Sequence, residues 1–305
     1  MNNKFTILIT TKNRKDDLAI TLANIKYLIE NGVECIICDD GSNDGTVAFL
    51  QAEYPNIQLI QNKKSQGLIY SRNRLLNLTK TEFVISLDDD AHFVTENPLE
   101  LIANHFEQNS TCGLIALRIF WGLEKPKITV SNEEISRVRG FVGCGHVWRM
   151  EAWKSIPNYP EWFVFYGEED FAAYQLFKKK WEIHYLPEVL VNHRVDIKAR
   201  KNEKDYRLRL RRSLRSGWYL YLIFYPWREI PRRFTYTLWV QIKNKVLKGD
   251  WRAMLAIIQA MGDVIINLPR LLKNSNRLTA NELEAYSNLP VSKLYWTPVN
   301  IQNTL

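Results

Sequence analysis

The chain has 305 residues, 46% of them hydrophobic, so it can bury the core of one large domain or of two smaller ones. Its formal net charge of +8 favours an anionic partner, but the excess is local, since residues 200–215 carry eight Lys or Arg and only two acids. Its four cysteines are too few and too irregularly spaced for the disulfide framework of a small secreted domain.

The apolar segments and the cysteines bear on the compartment of the protein and on its association with membranes. Residues 5–10 are too short for a secretion signal and are followed by a basic stretch. No apolar run reaches the roughly 18 residues of a spanning helix, and the most apolar stretch, 217–227, is too short. Cys35 and Cys38 form a CxxC pattern, but in a predicted strand they face opposite sides, which disfavours a shared metal. We therefore expect buried thiols and a reducing cytoplasm.

The first hundred residues alternate strands with helices. Strands are predicted at 5–10, 33–38, 57–61 and 82–87. Apolar residues at 18, 22, 25 and 29 predict a helix that stops near Gly32, and a second helix is predicted at 67–78. This alternation predicts βαβ units and a largely parallel sheet.

The second half has a different pattern. Residues 120–140 carry charge and little periodicity, which predicts an insertion or a mobile loop. Glycines at 140, 143 and 145 precede a strand-like segment. An aromatic segment at 162–166 leads into a helix with acids in its first turn, where the helix dipole favours them. Strands are predicted at 183–186 and 189–192, and His193 ends the second of them.

Acidic residues follow two of the predicted strands. Asp39 and Asp40 follow the second strand, and Asp88, Asp89 and Asp90 follow the fourth. In an open α/β sheet the carboxyl ends of the strands face one crevice, where ligands bind. Adjacent carboxylates are tolerated when Mg²⁺ or Mn²⁺ neutralises them and a substrate phosphate completes the metal's shell. The alternative is a solvated acidic turn, because charge clusters commonly lie at the surface.

Beyond about residue 200 the composition changes. Arginines alternate with apolar residues, an aromatic stretch occupies 218–227, and helices are predicted at about 231–248 and 250–272. Basic faces beside Trp, Tyr and Leu are typical of helices that lie on an anionic membrane surface. Packing on the preceding domain or on a second subunit would explain the same pattern, so these alternatives stay open.

Four motifs in this order resemble the family 2 inverting glycosyltransferases of the GT-A fold. They are Thr10 to Arg14, Asp39 to Ser42, Leu87 to Asp90 and Gly167 to Asp170, and the resemblance covers roughly residues 4–195. It implies an α/β GT-A nucleotide-binding fold with a mostly parallel central sheet flanked by helices and a C-terminal helical extension. It also implies a catalytic domain at 1–200, with a nucleotide-sugar half at about 1–95 and an acceptor half at about 96–200, before a helical region at 201–305.

The resemblance also implies roles for individual residues. The nucleotide-binding set is Thr10, Thr11, Lys12, Asn13, Arg14, Asp40, Gly67, Arg72, Asp88 and Asp89. The metal ligands are Asp88, Asp90 and His193, although a lone histidine at a strand end is more commonly structural. Asp170 is the catalytic base, and the acceptor-binding set is Gly145, His146, Arg149 and Glu169.

The function implied is inverting, metal-dependent transfer of a sugar in polysaccharide biosynthesis, in the manner of the enzymes that build bacterial surface polysaccharides, rhamnosyltransferases among them. The donor is a nucleotide-diphosphate sugar, with UDP or dTDP favoured, the cofactor is Mn²⁺ or Mg²⁺, and the acceptor is a glycan or a lipid-linked glycan. Two alternatives are a nucleotidyltransferase, which would need a glycine-rich phosphate loop, and a non-catalytic relative that binds membranes or glycans. No nucleic-acid module is recognisable. The expected location is cytoplasmic or peripheral at the inner face of the cell membrane, and a homo-oligomer is an open alternative.

Overall fold

The computed structural model describes residues 2–196 and 205–298. The strands of these residues are β1 (Phe5–Thr11), β2 (Glu34–Asp39), β3 (Gln58–Gln61), β4 (Phe83–Asp88), β5 (Ala91–Phe93), β6 (Cys112–Trp121), β7 (Ser136–Val138), β8 (Gly145–Arg149) and β9 (Glu182–His193). The α-helices are α1 (Lys15–Glu30), α2 (Thr46–Glu53), α3 (Leu68–Leu78), α4 (Pro98–Gln108), α5 (Met150–Lys154), α6 (Glu168–Lys178), α7 (Tyr206–Phe224), α8 (Ile230–Asn244), α9 (Trp251–Lys273) and α10 (Ala280–Asn288).

The strands of the described chain form one sheet in the order β3-β2-β1-β4-β8-β6-β9-β5, with β7 paired to β9. The first four strands of this order are parallel, and α1, α2 and α3 connect them. The predicted βαβ units are confirmed. The predicted stop of the first helix is confirmed too, because α1 ends before Gly32, which has a φ of +85° that glycine tolerates best.

The sheet separates two apolar cores, because successive strand residues point to opposite faces. On β1, Leu8 belongs to the core shared with α3 and α6, whereas Ile7 and Ile9 belong to the core shared with α1 and α4. Cys35 and Cys38 lie one in each core, and both are buried free thiols. The predicted separation of the CxxC pair is therefore confirmed.

The second half of the sheet is mixed. β8 lies antiparallel between β4 and β6, and β9 is parallel to β6. The two strands predicted at 183–186 and 189–192 form the single strand β9, whose register with β6 shifts between Leu117 and Arg118. The predicted loop at 120–140 is interrupted by β7, which pairs with β9.

The C-terminal helices share a core with the sheet domain. On α7, Phe224 is buried against Phe171 and Tyr174 of α6, with ring centroids 5.4 and 4.7 Å apart. Asp250 caps α9 by accepting the Ala253 N–H at 2.9 Å, which is why the helix begins at 251. One face of this region therefore packs on the preceding domain. Residues 200, 201 and 204 of the basic run lie outside the described residues.

The expectation that no segment is long enough to span a membrane is wrong for α9. On length and composition alone this helix could cross a membrane, and 28% of its most apolar stretch is buried in the structure. A count of consecutive apolar residues missed it because polar residues such as Asp263 interrupt the run. Those residues face α7, where Arg211 binds the Asp263 carboxylate with both nitrogens at 2.6 and 2.7 Å.

Candidate active site

The carboxyl ends of β1, β2 and β4 lie side by side, because these three strands are parallel neighbours. Thr11 lies opposite Asp39 on one side of β1, and Thr10 lies opposite Asp88 on the other. Both acidic clusters therefore flank the end of β1, at the edge where open α/β sheets bind ligands.

Asp88, Asp90 and His193 form a compact group of oxygen and nitrogen ligands. Their ligand atoms all lie within 4.8 Å of one another, and His193 Nε2 is 3.0 Å from Asp90 Oδ1. The antiparallel pairing of β5 with β9 brings His193 to this edge, opposite Ala91. Burial acts to raise the pKa of Asp90, but the hydrogen bond from His193 and the charge of Arg14 outweigh it and lower the pKa to about 2.

Asp89 binds Thr11 and shares Arg14 with Asp90. Its Oδ2 accepts from the Thr11 hydroxyl at 2.8 Å, and its Oδ1 lies 3.0 Å from the Arg14 guanidinium. Burial raises the pKa of Asp89 to about 7, although Arg14 opposes the shift. Arg14 also binds Asp90 at 2.7 Å. The segment after β1 is thereby fixed against the three aspartates.

The loops that follow β1 and β2 are joined to each other. The Asn13 N–H donates to Ser42 Oγ at 2.9 Å, and Asn13 Oδ1 accepts from the Asn43 N–H at 2.8 Å. Asn13 has a φ of +52°, a conformation that asparagine adopts more readily than most residues. Lys12 is exposed at the tip of this double loop.

Asp40 holds the loop that precedes α3. Its two oxygens accept from Asn62 Nδ2 at 2.8 Å and Ser65 Oγ at 2.6 Å, and from the backbone N–H groups of Gln66 and Gly67 at 2.8 and 2.9 Å. Burial raises the pKa of Asp40, but these hydrogen bonds outweigh it and lower the pKa below its usual value. Gly67 has a φ of +98°, which lets the chain turn into α3.

Arg72 links the two halves of the site. It is 6% exposed and donates to Asp88 Oδ1 at 2.7 Å, to Glu168 Oε1 at 3.0 Å and to the Gly143 carbonyl at 3.1 Å. An added Cβ at Gly143 would meet Glu169 Oε1 and, at 3.0 Å, Arg72 Nη1, so a larger residue would displace these side chains. Arg72 thus ties the carboxyl end of β4 to the first turn of α6.

The three acids at the start of α6 lie in three different environments. Glu168 is buried and binds Arg72, and Glu169 is partly buried beside Gly143. Partial burial and the neighbouring Glu168 carboxylate raise the pKa of Glu169 above its usual value. Asp170 has an exposed side chain and lines a cavity of about 360 Å³ between α6, α7 and α10. Its enclosure raises the pKa of Asp170, and Arg139 opposes that shift.

Three residues of the predicted acceptor set lie on β8. Gly145 is buried, where an added Cβ would meet Ile119 at 3.0 Å. His146 is 1% exposed between aromatic rings, and burial lowers its pKa to about 3. Arg149 lies at the other end of β8 and donates to the carbonyls of three residues, Cys112, Phe106 and Asn109. His146 is thus buried within range of the Arg72 charge, and of these three residues only Arg149 lies at the end of β8 that is remote from the crevice.

Other polar residues at the site were missed in the sequence. Asp39 Oδ1 is buried and has no hydrogen-bond partner among the described residues. The sequence predicted roles for Glu169 and Asp170 but none for Glu168, which forms the ion pair with Arg72. Arg139 and Arg233 line the Asp170 cavity. No local signal marks the two arginines, because α7, α8 and α10 bring them to the cavity only in the folded chain.

The family model for glycosyl transferase family 2 matches residues 6–173, which is more than half of the chain and includes every element from β1 to the first turn of α6. The chain belongs to glycosyltransferase family 2. This membership favours a sugar-transfer reaction over the alternatives of a nucleotidyltransferase and a non-catalytic relative.

Three similar proteins illustrate the likeness. The Escherichia coli enzyme WfaP, a UDP-Glc:alpha-D-GlcNAc-diphosphoundecaprenol beta-1,3-glucosyltransferase, is 31% identical over 90 residues, which is 29% of this chain and 36% of WfaP. The structure of GalNAc-T7 with UDP, GalNAc and Mn²⁺ has a TM-score of 0.60 at 13% identity and covers 87% of this chain and 57% of that one. The mannosyltransferase PcManGT from Pyrobaculum calidifontis, in complex with GDP-Man and Mn²⁺, has a TM-score of 0.52 at 15% identity and covers 93% and 79%.

At such low identities the two structural neighbours show the fold alone, and they confirm the predicted GT-A fold with its helical C-terminal part. The chain spans about a third of the length of the curated relatives that it matches. The family and the fold are therefore shown, whereas the activity and the substrates of the whole protein are matters of proposal.

We predict that Arg72→Met destabilises the protein by about 3–5 kcal/mol, because it leaves the buried Glu168 carboxylate without its partner. Urea unfolding at neutral pH measures the loss. The double variant Arg72→Met/Glu168→Gln should recover part of the lost stability. The control Arg74→Met, two residues further along α3, should lose less than about 1.5 kcal/mol. If Arg72→Met and Arg74→Met lost the same free energy of unfolding, the ion pair between Arg72 and Glu168 would have no special role in stability.

Proposed function

We propose that this glycosyltransferase works by inversion with a divalent cation held by Asp88, Asp90 and His193. The observation that carries the proposal is the position of these three ligands, within 4.8 Å of one another at the carboxyl edge of the sheet. Two carboxylates and one imidazole suit Mn²⁺ better than Mg²⁺, because Mg²⁺ strongly prefers oxygen. The Mn²⁺ in the two structural neighbours supports the same choice.

The chemistry fits these side chains. When the sugar–phosphate bond breaks, negative charge grows on the leaving nucleoside diphosphate, and a bound cation stabilises that charge by several kcal/mol. Arg72 lies beside Asp88 and adds a fixed positive charge on the same side. The acceptor oxygen attacks the anomeric carbon from the opposite face, so the configuration inverts in a single displacement.

Asp170 is the base of this proposal. Its carboxylate faces the cavity beside α6, where an acceptor hydroxyl can reach it. Enclosure raises its pKa toward the range in which a carboxylate removes a proton efficiently. The chain of contacts from Asp88 through Arg72 to Glu168 fixes the start of α6 relative to the donor side. Glu169 is the neighbouring carboxylate that a test must separate from Asp170.

The donor is proposed to be a UDP- or dTDP-sugar bound along the ends of β1 and β2. Thr10 and Lys12 would lie along the nucleotide. The unpartnered Asp39 oxygen would accept from the base, because both oxygens of Asp40, the acid first expected there, already accept from the loop before α3. Arg14 and Asn13 hold the loop that carries these groups. The UDP of GalNAc-T7 and the UDP-Glc in the name of WfaP support a uridine nucleotide, whereas PcManGT holds GDP-Man.

The acceptor is proposed to be a glycan on a lipid diphosphate. Arg139 and Arg233 line the Asp170 cavity beside four tyrosines, Tyr174, Tyr221, Tyr225 and Tyr286. Tyrosine and arginine together suit a sugar with an anionic group attached. The diphosphoundecaprenol acceptor in the name of WfaP supports this class.

A lipid acceptor calls for a membrane surface, and we propose that the outer faces of α8 and α9 provide it. The most exposed apolar residues there are Tyr236 and Trp239 on α8 and Trp251, Leu255, Ile258, Ile265 and Ile266 on α9, of which Ile265 and Ile266 are 70% and 78% exposed. Their spacing on α9 follows one helical face. Arg252, Lys243 and Lys248 flank the face, as expected for a cytoplasmic enzyme on an anionic inner leaflet.

We predict that Mn²⁺ strengthens UDP binding to the wild-type protein and that Asp90→Asn loses this gain by at least about tenfold, which corresponds to about 1.4 kcal/mol. Isothermal titration with and without Mn²⁺ measures it, and GDP titrated in parallel shows the nucleotide preference. Asp16→Asn, an exposed acid on α1, is the control and should behave as wild type. An unchanged Mn²⁺ effect in Asp90→Asn would remove this residue from the metal site.

We predict that Asp170→Asn lowers kcat by about 10²–10⁴-fold while UDP affinity stays unchanged, because only proton removal is lost. Release of nucleoside diphosphate from a panel of UDP- and dTDP-sugars, with a polyprenyl-diphosphate glycan as acceptor, is the readout. Glu169→Gln serves as the matched comparison and should lose less than about tenfold. The reverse ranking would transfer the role of base to Glu169.

We predict that Ile265→Asp/Ile266→Asp abolishes sedimentation of the protein with anionic vesicles, because two charges on the apolar face oppose insertion into the headgroup layer. Ile20→Asp, an exposed isoleucine on α1, is the matched control and should still sediment. Vesicles of neutral lipid should bind less wild-type protein than anionic ones. If instead the double variant converts a dimer to a monomer in light scattering, the face is a subunit interface.

A further inference from the structure

A second group of metal-ligating side chains lies away from the catalytic acids. His105 near the end of α4, Cys112 at the start of β6 and His184 on β9 have ligand atoms that all lie within 4.8 Å of one another. All three residues are buried, with 6%, 0% and 8% exposure. Three rigid elements therefore present two imidazoles and a thiol to one enclosed point.

The strand geometry explains how the thiol reaches this group. Cys112 and Ile115 are three positions apart, so regular alternation would put them on opposite faces. The register of β6 with β9 shifts between Cys112 and Leu114, and both Cys112 and Ile115 lie in the core beneath α4. Irregularities of this kind re-aim a side chain and are often built for a purpose. Here the shift places the sulfur on the face that carries His184.

The hydrogen bonds of His184 indicate which of its nitrogens can bind a cation. The Glu182 carboxylate lies 2.9 Å from His184 Nε2 and accepts from it, so in the neutral ring Nδ1 carries the lone pair. His105 Nε2 lies 2.9 Å from that Nδ1. Glu182 is itself held by Arg137 at 2.9 Å and by the Thr111 hydroxyl at 3.1 Å. A carboxylate behind a histidine in this way is the usual support of a metal-binding imidazole, because it orients the ring and makes its other nitrogen more basic.

We propose that His105, Cys112 and His184 bind a borderline-soft divalent cation, Zn²⁺ in the first place, with water as the fourth ligand. Two nitrogens and one sulfur are the donor set that Zn²⁺ favours. Tetrahedral zinc separates such ligand atoms by about 3.3–3.8 Å, so the two imidazoles move apart by about 0.4 Å from their hydrogen-bonded distance.

Binding is balanced in protons and charge. The Cys112 thiol loses its proton to solvent, and the proton on His105 Nε2 shifts to Nδ1, so one proton leaves for each ion bound. Burial raises the pKa of the Cys112 thiol to about 12, and the Arg149 guanidinium, which donates to the Cys112 carbonyl and to two carbonyls at the end of α4, opposes that shift. The bound cation would supply the remaining stabilisation of the thiolate. The ion would join the end of α4 to β6 and β9. It would stabilise the fold and take no part in the reaction.

The test uses Co²⁺ as a spectroscopic probe and the full-length protein. We expect both the wild type and Asp90→Asn to show the intense visible bands of a tetrahedral Co²⁺ site and a sulfur-to-cobalt charge-transfer band, which Zn²⁺ abolishes. Asp90→Asn, which lacks one ligand of the catalytic metal site, should bind one Co²⁺. Cys112→Ser should lose the charge-transfer band, and His184→Ala or His105→Gln should lower the affinity at least about tenfold. Cys144→Ser, a buried thiol beside the catalytic acids, is the control and should keep the band.

Two results would overturn the proposal. One is the absence of a charge-transfer band in folded wild-type protein, a result that depends on no variant. The other is a band that survives in His105→Gln and disappears in Cys144→Ser, which would place the ion near Asp88. Circular dichroism of every variant verifies that the fold is intact, and a Zn²⁺-dependent rise of Tm in Asp90→Asn shows that the stabilisation is independent of the catalytic acids.

Discussion

The structure depends on the compensation of negative charge at the carboxyl end of β4. Three consecutive aspartates there would repel one another and be costly to bury alone. Arg14 on one side, Arg72 on the other and His193 from β9 contact these carboxylates and offset their negative charge. Each of these groups comes from a different element, so the acids also determine how α1, α3 and β9 approach the end of the sheet.

Arg72 extends this compensation to the acceptor side. By binding Asp88 and Glu168 at once, it fixes the first turn of α6 against the nucleotide half of the fold. The three acids of that turn then have different surroundings, one ion-paired, one partly buried and one facing the cavity. A site that must hold a leaving group and a base in fixed relation benefits from such a rigid connection.

The C-terminal helices have two faces with different partners. The inner face of α7 packs on α6 and completes the cavity at Asp170, while the outer faces of α8 and α9 leave large apolar side chains exposed. Asp263 is consistent with this division, because its ion pair with Arg211 faces inward. The sequence left open whether the C-terminal helices pack on the domain or contact a membrane. Their geometry allows both, because the inner and outer faces are separate.

The sequence by itself determined the βαβ order, the parallel half of the sheet, the strand ends that carry the aspartates and the family, because these follow from local periodicity and from motifs of fixed spacing. It did not determine the environment of β8, where packing buries His146 and sends Arg149 to the far edge. Nor did it reveal the ion pair of Glu168 or the meeting of His105, Cys112 and His184. Only the tertiary structure decides such features, because they arise between residues far apart in the chain, from strand register and from which side chains share a face.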